Sequence, residues 1–306
     1  MFAKIILGTR GSQLARAQAR LVEKAIHNAH PNVAIETKVI ATRGDLGKLV
    51  DLRTGRKGLF TAEIERALVR GEVHIAVHSA KDLPSETRPE TKIAAALPRA
   101  SIDDVLISKH GGGLDGLPNG ATVATGSVRR LHQLHWKRAD LTVVDVRGNV
   151  PTRLRKLAEN DWEGIVLAHA GLDRLGFLPT PGQVTYADRH FHLVPLSCEV
   201  FLPAGGQGII ALQTRSDCQT TKHLLEAVSD RETLLCLAAE RGFLTRLHGD
   251  CNFPVGVHAT IKDGKMKLRA QLFRIESPTP RQSEIEGPSD QGCELAAELL
   301  RQIEQD

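Results

Sequence analysis

His74-Ile75-Ala76-Val77-His78-Ser79-Ala80-Lys81-Asp82-Leu83-Pro84 begins as an apolar run and ends as a charged turn. Residues 74–77 predict the end of a buried strand. Lys81 and Asp82 follow at once. Leu83-Pro84 then stops regular structure, since proline has no N–H to give. In an α/β fold the C-terminal ends of strands form the edge where ligands sit. A base and an acid placed there are candidates for binding and for chemistry.

Upstream, residues 4–8 predict a first strand and Thr9-Arg10-Gly11-Ser12 a turn. Ser12 can cap a helix whose Leu14, Ala17, Leu21 and Ala25 share one face. Residues 33–40 alternate in part and predict a second strand. The order strand–helix–strand implies parallel pairing. Residues 42–58 carry Gly44, Gly47 and Gly55 among Asp45, Lys48, Asp51, Arg53, Arg56 and Lys57. Too long for an ordinary connection, this segment reads as a mobile loop or lid. Helix signals resume at Phe60-Thr61, with Ile64, Ala67 and Leu68 on one side, and Gly71 is placed to end that helix.

Downstream, residues 92–97 and 104–108 predict strands. A second unit then repeats the first in outline: strand 121–125, a turn at Gly126 with Ser127 as cap, and helix 128–137. Strand 141–146 follows, ended by Arg147-Gly148-Asn149. Pro151 opens the next helix, where its missing N–H is harmless. Strand 164–168 leads to a short helix with Leu172 and Leu175. Leu202-Pro203-Ala204-Gly205-Gly206-Gln207-Gly208 precedes a strand that could return to the first sheet. From Ser216 the pattern changes to helices at 219–228 and 231–247, a hairpin of 255–261 with 265–273, and a helix at 293–305. The expected class is α/β, with two similar doubly wound lobes and a smaller C-terminal α+β domain. The expected boundaries are 1–98 with 199–214, then 99–198, then 215–306. Paired lobes bind ligands in the cleft between them.

Composition narrows the function. The 306 residues are 41% apolar and 25% charged, an ordinary globular balance. No apolar run nears the ~20 residues of a membrane span. The first residues lack a signal-peptide core, so a cytoplasmic protein is expected. Cys198, Cys218, Cys236, Cys251 and Cys293 are odd in number and form no Cys-x-x-Cys. The thirteen histidines include no His-Glu-x-x-His, and no metal is expected. Fingerprints for dinucleotides, nucleotide triphosphates and the common hydrolase elbow are absent. A net charge of +4, 4% aromatic residues and no recognition motif argue against nucleic acid.

The positive charge is placed rather than spread. Arg10, Arg129, Arg130, Arg147 and Arg153 all fall at expected strand–helix junctions, on the ligand edge of both lobes. Arginine suits bidentate carboxylate recognition. Asp82 is the one acid set beside those bases, where it stays ionised and can stabilise a cation or move a proton. Cys251 lies in Leu247-His248-Gly249-Asp250-Cys251-Asn252-Phe253-Pro254, a loop between a long helix and a strand that can leave a thiol reachable.

With these residues stand Thr9-Arg10-Gly11-Ser12, Thr42-Arg43-Gly44-Asp45, Gly58-Leu59-Phe60, Ala76-Val77-His78-Ser79-Ala80-Lys81-Asp82-Leu83-Pro84, Gly126-Ser127-Val128-Arg129-Arg130, Arg147-Gly148-Asn149-Val150-Pro151-Thr152-Arg153, Leu202-Pro203-Ala204-Gly205-Gly206-Gln207-Gly208 and Gly249-Asp250-Cys251. Together, and in this order, they resemble the porphobilinogen deaminase (hydroxymethylbilane synthase) family. The resemblance implies lobes of the periplasmic-binding-protein type. It implies a transferase that joins four porphobilinogen molecules head to tail, releasing ammonia, to give the linear tetrapyrrole hydroxymethylbilane. It further implies one dipyrromethane cofactor per chain, bound through a thioether to Cys251. Asp82 matches the catalytic aspartate. Lys81, Ser127, Arg129, Arg130, Arg147 and Gly148 match cofactor-binding positions. Arg10, Ser12, Phe60, Arg147 and Arg153 match substrate-binding positions. A monomer is the family expectation.

The chain departs from the family pattern at Arg53, where lysine is common, at Gly126, where a second serine is usual, and at His169, where a small apolar residue is common. The competing reading is a non-enzymatic two-lobed binder of small anions, and the Cys251 loop separates the two.

Overall fold

The computed structural model describes residues 4–42, 61–247, 254–274 and 277–305. The first lobe opens with β1 (Lys4–Thr9), α1 (Gln13–Ala29) and β2 (Ala34–Val39). Helix α2 (Ala62–Val69) leads to β3 (Ile75–Ser79), a single 3₁₀ turn over Ala80–Asp82, and β4 (Thr91–Ala96). The sheet order is β2-β1-β3-β11-β4, where β11 (Ile210–Arg215) returns from far along the chain. β1 runs parallel to β2 and β3, while β11 is antiparallel to β3 and β4.

Helix α1 packs on this sheet with a different face from the one its leucines suggested. Ala15, Ala19, Val22 and Ile26 are buried, and Leu21 stands 43% exposed. Small alanines let the helix lie close to Ile5, Leu7, Ile75 and Val77, and a residue as large as Leu21 is turned outward.

The second lobe holds β5 (Asp104–Ser108), β6 (Thr122–Ala124), α3 (Val128–Lys137), β7 (Thr142–Val144), α4 (Val150–Glu159), β8 (Gly164–Ala168), α5 (His169–Arg174), β9 (Gln183–Tyr186) and β10 (Arg189–Leu196). Its order is β7-β6-β8-β5-β10-β9. β6 is parallel to β7 and β8, and β5 is antiparallel to β8 and β10. The β9–β10 hairpin was not expected from the sequence. It turns at Ala187 (φ 44°) and Asp188 (φ 60°), without the glycine that usually announces such a turn.

The third part contains α6 (Gln219–Glu226), α7 (Arg231–Arg246), β12 (Val255–Lys262), β13 (Lys265–Leu272), β14 (Arg281–Pro288) and α8 (Gly292–Gln305). The three strands form one antiparallel sheet covered by α7 and α8, with Phe243, Leu268 and Leu299 in its core. β14 escaped the sequence reading because Arg281–Pro288 carries a single large aliphatic residue, Ile285.

Candidate active site

In both lobes the parallel strands end on one edge. Ser12 caps α1, accepting from the Ala15 N–H at 3.2 Å. Ser127 caps α3, accepting from Arg130 N–H at 3.4 Å. Asn149 caps α4, accepting from Thr152 N–H at 2.9 Å. Each cap leaves its helix N-terminus and the adjoining arginine at the ligand edge. The hydroxyls of Ser12 and Ser127 accept in these caps and still have a proton to donate.

Beyond β3, the 3₁₀ turn presents Asp82 to solvent and leaves Lys81 half-buried. Arg10, Ser12, Gln18, Thr61, His78, Ser79 and Asp82 line a small cavity of about 50 Å³. Asp82 is the only carboxylate among its described lining residues. Gln18 and Ser79 bond each other at 2.8 and 3.0 Å, fixing the wall between α1 and β3.

The two lobes meet around Asp104, at the start of β5. Asp104 is fully buried and accepts from Arg129 at 2.8 Å and from Arg130 at 2.6 Å. Burial would raise the Asp104 carboxyl, but the two guanidiniums overcome it and hold it well below the usual carboxylate range. Arg129 also donates to Gln133 and to the Leu202 carbonyl, and Arg130 to the Val166 carbonyl. Gln207 donates to Asp104 at 2.8 Å, while its own carbonyl lies 3.4 Å from the Lys81 ammonium. Gln133 continues the network into β13 through Gln271 at 2.7 Å. Lys81, Gln207, Asp104, Arg129, Gln133 and Gln271 thus form one polar chain through all three parts.

The sequence-predicted arginines therefore divide. Arg129 and Arg130 are buried and already hold Asp104. Arg147 is exposed and donates to Asp145 at 2.7 Å. Arg153 is half-buried and donates to the Gly148 carbonyl at 2.7 Å. Gly148 has φ +119°, and a Cβ there would lie 2.6 Å from a Thr152 methyl. At Gly126 a Cβ would stand 2.6 Å from the Val146 carbonyl oxygen, so the β6–α3 turn is drawn too tight for the usual serine. Cys251 and Phe60 lie outside the described residues, as do Arg53 and most of the 42–58 segment.

Unbalanced positive charge marks this edge. Burial, then repulsion from Arg130, lower the Lys81 ammonium to about 8 against the opposing pull of Asp82 and Asp104. Burial also lowers Arg153 to about 10, with repulsion from Arg130 and Arg147 added and Asp82 and Asp145 opposing. Arg153 belongs to the second lobe and Asp82 to the first, so this acid faces the cations of both. Several polar atoms are sealed without partners among the described residues: Nε of Arg129, Nε of Arg130, Nδ1 of His169 and Oγ1 of Thr61.

Three contributors gave no clear sequence signal. Asp104 read as one residue of an apolar strand. Gln207 stood in a glycine-rich motif without an assigned role. Arg174, at the end of α5, donates to the Gly208 carbonyl at 2.6 Å and adds another half-buried cation. No group of described residues has the makeup of a metal site. No helix among them is long and apolar enough to cross a membrane.

Fold and site together define a two-lobed α/β protein with a C-terminal domain, whose facing edges gather cations around one acid. Residues 5–223 match the family model described as porphobilinogen deaminase, dipyromethane cofactor binding domain, and residues 234–301 match that of the C-terminal domain. The chain belongs to the porphobilinogen deaminase family. It is 41% identical to the porphobilinogen deaminase of Roseiflexus sp. (strain RS-1) over 302 residues, covering 97% of this chain and 96% of the relative. It is 43% identical to that of Syntrophomonas wolfei subsp. wolfei over 307 residues, covering 97% and 95%. Among solved structures, the methionine binding protein MetQ covers 78% of this chain and 95% of its own at 14% identity, with a TM-score of 0.46.

Family membership makes the chain an enzyme of tetrapyrrole biosynthesis with a dipyrromethane cofactor, and nothing supports the non-enzymatic binder. The residues present fit such a group. Dipyrromethane is a polycarboxylate, and the edge offers Lys81 and Arg153, whose side chains donate to carbonyl oxygens, exposed Arg147, and two serine hydroxyls with a proton to donate.

Proposed function

We propose a division of labour within the reaction that joins four porphobilinogen molecules and releases four molecules of ammonia. Loss of ammonia from the aminomethyl group leaves an electron-poor azafulvene, and positive charge develops on the ring nitrogen. Asp82 accepts the pyrrole N–H and stabilises that charge, as a fixed carboxylate does best in a partly desolvated cleft. The observation that carries this role is that, among the described residues, Asp82 alone brings negative charge to a cavity otherwise lined by Arg10 and neutral groups.

Arg10, Ser12 and Arg153 hold the acetate and propionate of the incoming substrate, with Phe60 packed against its ring. Lys81, Ser127, Arg147 and the Gly148 backbone hold the cofactor carboxylates. Arg129 and Arg130 serve the same group from a buried position, where Asp104 fixes their planes. Cys251 bears the cofactor through a thioether. When bound, dipyrromethane supplies the pyrrole carbon onto which new units are added. We further place the domain boundaries at 1–98 with 199–214, 99–198 and 215–306, and the working enzyme as a cytoplasmic monomer.

Intact-mass measurement of the purified chain tests the cofactor assignment. The expected result is an adduct equal to two porphobilinogen-derived rings, absent from Cys251→Ser. An active wild-type chain of unmodified mass would overturn it.

A further inference from the structure

Beside Asp82, the cavity has a second polar wall whose protonation state the structure settles. His78 is buried on β3, opposite Ala211 of β11, and lines the cavity with Asp82 and Arg10. Its Nε2 lies 3.0 Å from Oε1 of Gln213. The amide of Gln213 can face only one way. Its Nε2 donates to Oε1 of Glu65 at 2.9 Å and to the Thr91 hydroxyl at 2.8 Å. A carboxylate oxygen only accepts, and the Thr91 hydroxyl spends its own proton on the Arg88 carbonyl at 3.0 Å. The oxygen of Gln213 must therefore point at His78, and a carbonyl oxygen accepts. His78 is held with its proton on Nε2.

The charges around the ring keep it neutral. Burial, aided by Arg241 of α7 and Arg10 of the β1–α1 turn and opposed by the bond to Gln213, lowers His78 to about 4. Glu65 of α2 is separated from the ring by the Gln213 amide, and Asp82 lies on the cavity side. A neutral ring protonated at Nε2 has a lone pair on Nδ1. That atom has no partner among the described residues and is not among the sealed unpartnered atoms, so it opens on the cavity. Thr61 also lines the cavity, although its own hydroxyl is sealed from it.

We propose that Nδ1 of His78 accepts a hydrogen bond from the aminomethyl nitrogen of porphobilinogen, and that Gln213, anchored by Glu65, is the positioning residue that keeps this acceptor unprotonated. The proposal rests on Asp82 being the group that receives the pyrrole N–H. Porphobilinogen has two kinds of N–H donor, on the ring and on the aminomethyl group. With the ring nitrogen at Asp82, the aminomethyl group is the donor left for a neutral acceptor in the same small space. A neutral acceptor suits a group that must leave, because it orients the C–N bond without a carboxylate pairing that would hold the departing ammonia.

Nitrogen-15 NMR of histidine-labelled holoenzyme tests this. At neutral pH the ligand-free protein should show His78 protonated at Nε2 and unprotonated at Nδ1. In Asp82→Asn holoenzyme, expected to turn over slowly, porphobilinogen should move the Nδ1 resonance. A pyrrole with the same acetate and propionate but a methyl in place of the aminomethyl group should not. Gln213→Met should let the second tautomer appear and raise KM for porphobilinogen about 3- to 10-fold, the range of one hydrogen bond, with a smaller change in kcat. A proton on Nδ1, or no Nδ1 shift while calorimetry shows porphobilinogen bound, overturns the proposal and leaves Asp82 in place. An equal shift with the methyl analogue overturns the aminomethyl assignment. Normal turnover in Asp82→Asn would remove the reading of the site itself.

Discussion

Arg99 and Glu240 form a buried two-pronged pair, with guanidinium nitrogens 2.6 and 3.2 Å from the two carboxylate oxygens. Glu240, on α7, also accepts from the N–H groups of Gly206 at 2.6 Å and Ala259 at 2.8 Å. Arg99 lies between β4 and β5, where the chain leaves the first sheet for the second. One carboxylate therefore ties the exit of the first sheet, the glycine-rich 202–208 run and the C-terminal sheet together. Removing one partner strands the other charge in a dry interior. Arg99→Met should cost about 3–5 kcal/mol in urea unfolding. A loss below about 1 kcal/mol would mean water compensates the pair.

Asp104 should make stability acid-sensitive. Its folded value lies below the unfolded value of about 3.9, so the folded state binds fewer protons there. The stabilisation is complete above that value and is lost as pH falls toward the folded value. Unfolding free energies measured from pH 6 down to pH 3 should fall in the wild type and fall less steeply in Asp104→Asn. Parallel curves would show that other carboxylates dominate.

Lys81 predicts a limit at the alkaline side. Without ligand its ammonium sits near 8, because burial and Arg130 disfavour the charge. A bound carboxylate favours the charged form and raises that value. Carboxylate affinity should therefore weaken as pH rises through about 8. Lys81→Met should bind more weakly and lose that pH dependence. Titration calorimetry of the cofactor-free Cys251→Ser chain with a free dipyrromethane bearing the same acetates and propionates, between pH 7 and pH 9, measures both.

Asp82→Asn keeps the shape of the turn and removes the charge. Turnover should fall about 10²- to 10³-fold, the usual effect of deleting one stabilising group at a developing charge. Porphobilinogen binding should persist, since the arginines remain. Ammonia release under saturating substrate reads the first effect and calorimetry the second.

Gly148 should tolerate no side chain. At φ +119°, with Thr152 atoms 2.6 and 2.8 Å from any Cβ, Gly148→Ala should cost about 1–3 kcal/mol. Arg153 bonds the Gly148 carbonyl, so the same change should raise KM for porphobilinogen. A variant as stable as wild type with an unchanged KM would show that the turn relaxes freely.

The site was legible wherever it depended on short strand–turn–helix segments. Ser12 and Ser127 act as caps at the places their spacing predicted, and their neighbouring arginines reach the ligand edge for that reason. The same local logic hid what depends on packing. Leu21 looked like a core residue and is exposed. Arg129 and Arg130 looked like free cations, and Asp104, 25 and 26 positions upstream, holds both.

By itself, the sequence determined the α/β class and the motifs on the strand edges, because strand period, caps, glycine turns and proline stops act over a few residues. It also placed Lys81 and Asp82 at the end of β3. Only the tertiary structure decided which of the cations are committed to Asp104, that Gln207 joins the two lobes, and that Glu65 and Gln213 set the tautomer of His78. Those outcomes depend on burial and on hydrogen bonds between residues well apart in the chain, from Arg129 with Asp104 at 25 positions to Gln207 with Asp104 at 103 and His78 with Gln213 at 135. Such partners are chosen when the sheets close on one another, since a buried polar group must take whichever partner the packing brings to it.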